Sequence, residues 1–230
     1  MQSSENTMST ENILVAQQIH KTYGRGEAAV HVLRGLDLTV RSGEFVAIMG
    51  PSGCGKTTLL HILGMMTPAD DGEILFKGQT VARGDTSLRN KIRQREIGFV
   101  FQRFNLLAVL SAMNNVEISL KVRGMSDNGH AKELFEALGV GHVAGRKPSQ
   151  ISIGEQQRVA IIRALAHRPS LLLADEPTGN LDSANAQELL GIFRRLNRES
   201  GQTIVMITHS AEAAAYADRI VHMKDGCILE

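Results

Sequence analysis

The segment Gly50-Pro51-Ser52-Gly53-Cys54-Gly55-Lys56-Thr57 constrains the fold of this 230-residue chain more than any other feature. It fits the pattern GxxxxGK[ST], follows the apolar run 45–49 and precedes the apolar-periodic stretch 59–63. This order predicts a strand, a loop and a helix. In such a loop the glycines let consecutive backbone N–H groups surround a phosphate, and the helix N-terminus adds positive potential. The sequence therefore predicts that the chain binds a nucleoside triphosphate.

Residues of this loop have separate predicted roles. We expect Lys56 to reach the β- and γ-phosphates and the hydroxyl of Thr57 to bind Mg²⁺. The predicted nucleotide contacts are Gly50, Pro51, Ser52, Gly53, Cys54, Gly55, Lys56, Thr57 and Thr58. A Gly-rich turn that matches the pattern by chance is the alternative interpretation, and the flanking strand and helix argue against it.

Apolar strands that alternate with helical segments predict the fold class. Residues 171–174 and 203–207 are near-continuous apolar runs, and the helical segment 184–197 lies between them. Strands of this kind form parallel sheets that are buried on both faces. Other strands are predicted at 13–15, 30–33, 36–40, 73–76 and 97–101, a helical insert at about 110–144, and a final hairpin that turns at 225–226. The sequence therefore predicts a single α/β cassette.

Composition disfavours several classes of protein. No uninterrupted apolar stretch approaches the roughly 18 residues that span a bilayer, so a membrane role requires a partner. The net charge of +1 gives no bulk attraction to nucleic acid, and we interpret the basic run at 89–95 as a solvated face. Residues 1–12 form a polar segment that does not resemble a signal peptide. We expect Cys54 and Cys227 to be free thiols.

An acidic motif follows the apolar strand at 171–174. Asp175 at the strand end would place a carboxylate beside the phosphate loop, where it can hold Mg²⁺ through water. The adjacent Glu176 is a candidate to accept a proton from an attacking water. The alternative interpretation of Glu176 is a carboxylate that simply ends a strand.

A third motif begins at Ser152 and precedes the helical stretch 159–166. Ser152 and Glu155 form a capping-box pattern, which is a sufficient structural explanation for both residues. A helix N-terminus that carries Ser and Gly is also an anion site. Because the phosphate loop already occupies one side of the nucleotide, this second anion site is expected to serve a nucleotide that another subunit holds.

In order and spacing, the three motifs resemble the ABC-transporter ATPase family from about Ile13 to the end of the chain. The resemblance implies a P-loop NTPase (RecA-like) core with a mixed, mostly parallel sheet, an N-terminal antiparallel β subdomain and an inserted α-helical subdomain at about 103–165. Composition predicts a flexible polar tail at 1–12, and the resemblance implies one domain at 13–230. It also implies ATP and Mg²⁺ as ligands.

Further site residues are implied by the resemblance alone. Tyr23 resembles the aromatic residue that stacks on adenine, and Gln102 resembles the glutamine that links Mg²⁺ and water to the helical subdomain. Asp182 lies in a segment that resembles the loop that crosses the dimer interface, and His209 resembles a histidine that senses the γ-phosphate. Ser152 and Gly154 correspond to phosphate contacts from the second subunit.

One departure from the family pattern is informative. The signature usually written LSGGQ is here Ile151-Ser152-Ile153-Gly154-Glu155. A β-branched residue in place of the first glycine restricts the backbone at the helix start. We therefore expect hydrolysis that is retained but slow.

The resemblance is strongest to the lipoprotein-release and macrolide-export subgroup. It implies a head-to-tail homodimer on the cytoplasmic side of the inner membrane, bound peripherally to an integral membrane permease. It implies no nucleic-acid partner and no direct contact with a transported substrate. The alternative is a regulatory ATPase of the cell-division type, which signals through a membrane partner and moves no substrate; the sequence does not separate these two functions.

Overall fold

The computed structural model describes residues 12–229. Its strands are β1 (Asn12–Tyr23), β2 (Val30–Arg41), β3 (Phe45–Met49), β4 (Asp71–Phe76), β5 (Gln79–Thr80), β6 (Ile97–Phe101), β7 (Leu171–Asp175), β8 (Thr203–Ile207), β9 (Arg219–Lys224) and β10 (Cys227–Leu229). Its α-helices are α1 (Lys56–Leu63), α2 (Thr86–Arg95), α3 (Ala112–Val122), α4 (His130–Ala137), α5 (Ile153–Leu165), α6 (Ser183–Ser200) and α7 (Ala211–Ala214). Short 3₁₀ turns lie at Gly26–Ala28, Gly141–Val143 and Pro148–Gln150.

A mixed sheet with the order β10-β9-β3-β8-β7-β6 forms the centre of the molecule. Its strands are parallel except for the β9–β10 hairpin. Side chains of β3 alternate between two apolar layers: Val46 and Ile48 face one layer, and Phe45 and Ala47 face the other. Because both faces are covered, β8 is buried along its whole length. The carboxyl ends of the parallel strands therefore meet at one edge of the sheet. The predicted site residues lie at these strand ends.

An antiparallel sheet with the order β2-β1-β4-β5 covers one face of this core. Leu14 of β1 lies opposite Val40 of β2 and Phe76 of β4, and all three side chains are buried. Tyr23 ends β1, so the sheet carries this aromatic side chain to the phosphate loop.

In the sequence, helices α3, α4 and α5 come between β6 and β7. They pack on one another around the buried Phe135. Asn115 of α3 is 1% exposed and holds the preceding loop. Its Oδ1 accepts from the Leu107 N–H at 2.6 Å, and its Nδ2 donates to the Leu107 carbonyl at 3.1 Å and to the Leu110 carbonyl at 3.3 Å. The chain after β6 is thereby fixed to the helices.

The structure corrects three of the sequence predictions. The strands predicted at 30–33 and 36–40 are one strand, β2, in which Gly35 adopts a φ of 76°. The helical segment predicted over 110–144 is interrupted between α3 and α4, where Gly124 and Gly129 have positive φ. The basic run at 89–95 belongs to α2 and is not simply a solvated face, since Arg93 Nη1 donates to the Met65 carbonyl at 3.2 Å.

Other predictions are confirmed. The strands at 97–101, 171–174 and 203–207 are present, and the chain ends in the β9–β10 hairpin around Asp225 and Gly226. Both cysteines are free thiols. Strand β1 includes Asn12, which the sequence had placed in the tail, and residues 1–11 of that predicted tail lie outside the described residues. No helix in residues 12–229 has the length and apolar character needed to cross a bilayer.

Candidate active site

The phosphate loop connects β3 to α1 and is shaped by glycines. Gly53 and Gly55 adopt φ values of 80° and 102°, which residues with a Cβ rarely adopt. A Cβ on Gly50 would collide with the Met223 carbonyl oxygen of the neighbouring strand β9. Gly55 is the N-cap of α1 and has no side chain to offer the first N–H groups of the helix. These donors are therefore left for an anion.

Lys56 holds its ammonium over this loop. Its Nζ donates to the carbonyl oxygens of Gly50 at 2.7 Å and Pro51 at 2.9 Å, and the residue is 7% exposed. Cys54 is buried beneath the loop, and its carbonyl oxygen accepts from the Gly226 N–H at 3.2 Å. The loop is thus anchored to the β9–β10 turn, with a positive charge at its centre.

Asp175 ends β7 beside the first turn of α1. The Thr57 hydroxyl lies 3.4 Å from Asp175 Oδ1. Burial raises the pKa of Asp175, and the charge of Glu176 acts in the same direction, while His61, Thr57 and Lys56 partly offset both. The carboxylate is therefore short of compensating positive charge. A hydroxyl and a carboxylate side by side are the hard oxygen donors that Mg²⁺ prefers, so these residues fit the predicted metal ion.

Glu176 has a strained backbone that the sheet holds in place. Its φ is 47°, in the left-handed region, and its N–H donates to the Ile207 carbonyl at 3.0 Å. Its Oε2 lies 2.6 Å from Nδ1 of His209, which follows β8. The Glu176 side chain is 19% exposed and that of His209 is 70% exposed, so the pair lies at the mouth of the cleft.

Gln102 follows β6, on the other side of Asp175. The Asn180 side chain donates to the Gln102 carbonyl at 2.8 Å. At Gly179 a Cβ would come within 2.7 Å of the Gln102 side-chain nitrogen, so the loop after Glu176 packs closely on this glutamine.

These side chains line one open cleft of about 580 Å³. Its lining residues are Tyr23, Val32, Ser52, Gly53, Gly55, Lys56, Thr57, Thr58, Gln102, Asp175, Glu176 and His209. The parallel strands bring together residues that are far apart in sequence, because β3, β6, β7 and β8 all end at this edge. Gly50, Pro51 and Cys54 belong to the same loop but are not among the lining residues.

Ser152, Gly154 and Asp182 are not among the residues that line this cleft. Ser152 is the N-cap of α5, and Asp182 is the N-cap of α6. The two caps are neighbours, since a Cβ on Gly154 would collide with Asn185 Oδ1, and Asn185 donates to Asp182 Oδ2 at 2.8 Å. Hydrogen bonds from the Asn185 backbone and side chain lower the pKa of Asp182. The chain therefore carries a second polar surface, apart from the cleft.

Sequence reasoning missed two residues of the site. Val32 lines the cleft from β2, and nothing in the local pattern distinguishes it from other strand residues. Gln157 of α5 is fully buried and donates to the Pro177 carbonyl at 3.0 Å, so it connects α5 to the loop that follows Glu176. A polar residue among the apolar positions of α5 was the signal for Gln157.

A phosphate loop, an adjacent strand-end carboxylate and a mostly parallel sheet define a nucleotide-binding P-loop protein. Residues 33–179 match the family model described as ABC transporter. The chain belongs to this family and is an ATP-binding cassette.

Known proteins support this assignment. A protein of Syntrophobacter fumaroxidans named macrolide export ATP-binding/permease protein MacB is 50% identical over 94% of this chain. The matched part is 31% of that relative, and the chain spans about a third of the MacB relatives that it matches. The ABC transporter ATP-binding protein MJ0796 of Methanocaldococcus jannaschii is 43% identical, over 91% of this chain and 92% of that protein. A solved structure of MJ0796, described as a dimeric post-hydrolysis state bound to ADP and Pi, aligns with a TM-score of 0.85 and 39% identity, over 94% of this chain and 97% of that one.

Proposed function

We propose that this cassette hydrolyses ATP to drive a separate membrane permease of the export type, and that two copies close head to tail around two molecules of ATP. The division of the predicted residues carries this proposal. The phosphate loop, Asp175 and Glu176 face one cleft, whereas the helix N-terminus at Ser152 lies on a different surface. A second copy can bring that surface to the nucleotide. The dimeric structures of MJ0796 support the pairing of two copies.

In the monomer, the phosphate-loop N–H groups and Lys56 bind the β- and γ-phosphates, and Tyr23 stacks on adenine. Thr57, Asp175 and Gln102 would hold Mg²⁺, which neutralises charge on the phosphate oxygens when it is bound.

Glu176 accepts a proton from water as the water oxygen attacks the γ-phosphorus in line with the leaving ADP oxygen. The products are ADP and inorganic phosphate. His209 holds this carboxylate, with its Nδ1 2.6 Å from Glu176 Oε2, and its proposed role is to sense the γ-phosphate. Glu176 lines the cleft from a backbone in the left-handed region.

From the second copy, the Ser152 hydroxyl and the Gly154 N–H bind the γ-phosphate, and Asp182 crosses the interface. The cleft of a single chain is open to solvent. Closure of the dimer therefore excludes water from the phosphate and completes the site.

A groove of about 510 Å³ next to the cleft is suited to the permease. Its apolar wall includes Phe101, Leu107, Ile118 and Val122, and the side chains of Leu107 and Val122 are 50% and 74% exposed. It overlaps the segment 102–110, which begins at Gln102, so a change at the nucleotide has a short path to the groove. The name of the MacB relatives combines ATP binding and a permease in one protein, which favours export over the regulatory alternative. On this proposal the cassette sits at the cytoplasmic side of the inner membrane and never touches the transported substrate.

The substitution Glu176→Gln tests this function. An amide cannot accept the proton, so we expect ATP turnover to fall by about a hundredfold or more. Because ATP still binds, the variant is expected to elute as a dimer in ATP and Mg²⁺ and as a monomer in ADP. Glu133→Gln, an exposed carboxylate on α4, is the matched control and keeps the parental rate. Hydrolysis by Glu176→Gln at the parental rate would remove Glu176 as the base.

A further inference from the structure

The signature serine is tied to a carboxylate of its own helix. Glu155 Oε2 accepts from the Ser152 N–H at 2.7 Å and from the Ser152 hydroxyl at 2.8 Å. A serine hydroxyl has one proton to donate, and here that proton points to Glu155. A phosphate that binds the Ser152 hydroxyl at about 3 Å would lie within about 6 Å of this carboxylate. Two anions at that separation repel each other.

The imidazole of His142 contacts this carboxylate. Its Nε2 lies 2.9 Å from Glu155 Oε1, in the turn Gly141–Val143 that links α4 to the signature segment. Glu136 of α4 packs next to this turn at Gly141, and Arg158 of α5 is directed away, to the Leu138 carbonyl and to Glu188. Glu155 is therefore shared by two groups: Ser152 on one oxygen and His142 on the other.

We propose that His142 is a positioning residue for the ATP-bound dimer: it offsets the charge of Glu155 so that Ser152 can turn its hydroxyl to the nucleotide of the second copy. This inference rests on the proposed function, in which Ser152 binds a phosphate in trans. An N–H donor on Oε1 weakens the carboxylate as an acceptor for Ser152 and reduces its repulsion of the phosphate. His142 itself touches neither substrate nor metal.

The test measures ATP-driven dimerisation in the Glu176→Gln background, by sedimentation in ATP and Mg²⁺. We expect His142→Ala to weaken each nucleotide site about threefold, in the range of a single side-chain hydrogen bond. Since a closed dimer contains two sites, its dissociation constant should rise about tenfold. Binding of ADP to the monomer should stay within twofold of the parent, because the phosphate loop is untouched. His130→Ala removes a similar pair, with Nδ1 of His130 3.3 Å from Glu133, and should change neither quantity.

Rescue separates positioning from a structural role. In the His142→Ala background, Glu155→Gln keeps a side-chain acceptor for the Ser152 N–H but removes the charge, so dimerisation should return to within twofold of the parent. A dissociation constant for His142→Ala within twofold of the parent, or a double variant as weak as the single one, would overturn the inference.

Ser152→Ala distinguishes a failure of the role of His142 from a failure of the proposed function. If Ser152→Ala weakens the dimer and His142→Ala does not, only the role of His142 is wrong. If Ser152→Ala leaves dimerisation unchanged, the proposed contact in trans is wrong and the inference fails with it.

Discussion

Ile153 opens α5 directly after the capping serine, and it is 54% exposed at the surface that we propose to meet the second nucleotide. Its branched side chain restricts the backbone at the helix start and occupies space beside Ser152. We expect Ile153→Gly to hydrolyse ATP more than twofold faster than the parent in steady-state turnover. Ile153→Val keeps the branch at Cβ and should keep the parental rate. An unchanged rate for Ile153→Gly would remove the proposed effect of this side chain.

Local sequence pattern was sufficient to predict the phosphate loop, Asp175 and Glu176, because each lies directly after an apolar strand. Tyr23, Gln102 and His209 were predicted only through the family resemblance, since each is a single polar residue at a strand end and the sheet alone brings them together. Val32 was missed because tertiary packing, not local sequence, places it in the cleft. Gln157 was missed because a single polar residue among apolar helix positions does not show which group it contacts. The roles of all these residues stay predictions.

Strand β6 and helix α5 approach each other at Gly98, which makes this contact sensitive to volume. A Cβ at position 98 would collide with the Ala164 carbonyl oxygen and come within 3.1 Å of Leu172 Cδ1. We expect Gly98→Ala to lower the free energy of unfolding by about 1–3 kcal/mol, measured by urea denaturation. Gly191→Ala is the control: Gly191 lies within α6 with open space around it, and alanine there should stabilise by about 0.5–1 kcal/mol. Equal stability of Gly98→Ala and the parent would contradict the contact.

Elements with strong apolar periodicity were predicted well, and those stabilised by polar contacts were not. Helix α2 has little apolar character and was not predicted as a helix. It depends on the Asp85 cap, whose carboxylate accepts from the Leu88 N–H at 2.8 Å, and on the bond from Arg93 to Met65. The break between α3 and α4 follows from Asp127, which accepts from the N–H groups of Gly129 and Ala131 and starts a new helix. Such contacts leave only a weak signal in a single sequence.

In the whole molecule, the nucleotide cleft and the apolar groove share the segment that begins at Gln102. Gln102 lines the cleft, while Asn105 and Leu107 line the groove, and Asn115 fixes this segment to α3. On the proposed function, closure of the cleft around ATP would move a segment that also forms the proposed permease surface. The proposed coupling would lie within one chain, whereas the proposed hydrolytic site requires two.

A charge in the groove should separate ATP hydrolysis from permease binding. Val122 lines the groove and does not line the cleft. Val122→Glu should therefore leave ATP turnover of the isolated cassette within twofold of the parent. The same change places a carboxylate in the apolar contact with the permease, where it would lose its hydration. We therefore expect permease capture to fall at least tenfold.

The measurement is mass spectrometry of proteins that co-purify with tagged Glu176→Gln, with and without Val122→Glu, from gently solubilised membranes of the native host. Leu229→Glu is the matched control, because Leu229 of β10 is 51% exposed and lies outside both the groove lining and the segment 102–110. Equal capture by the Val122→Glu and Leu229→Glu variants would place the permease elsewhere on the cassette. A captured cell-wall or division protein, with no permease, would favour the regulatory function over export.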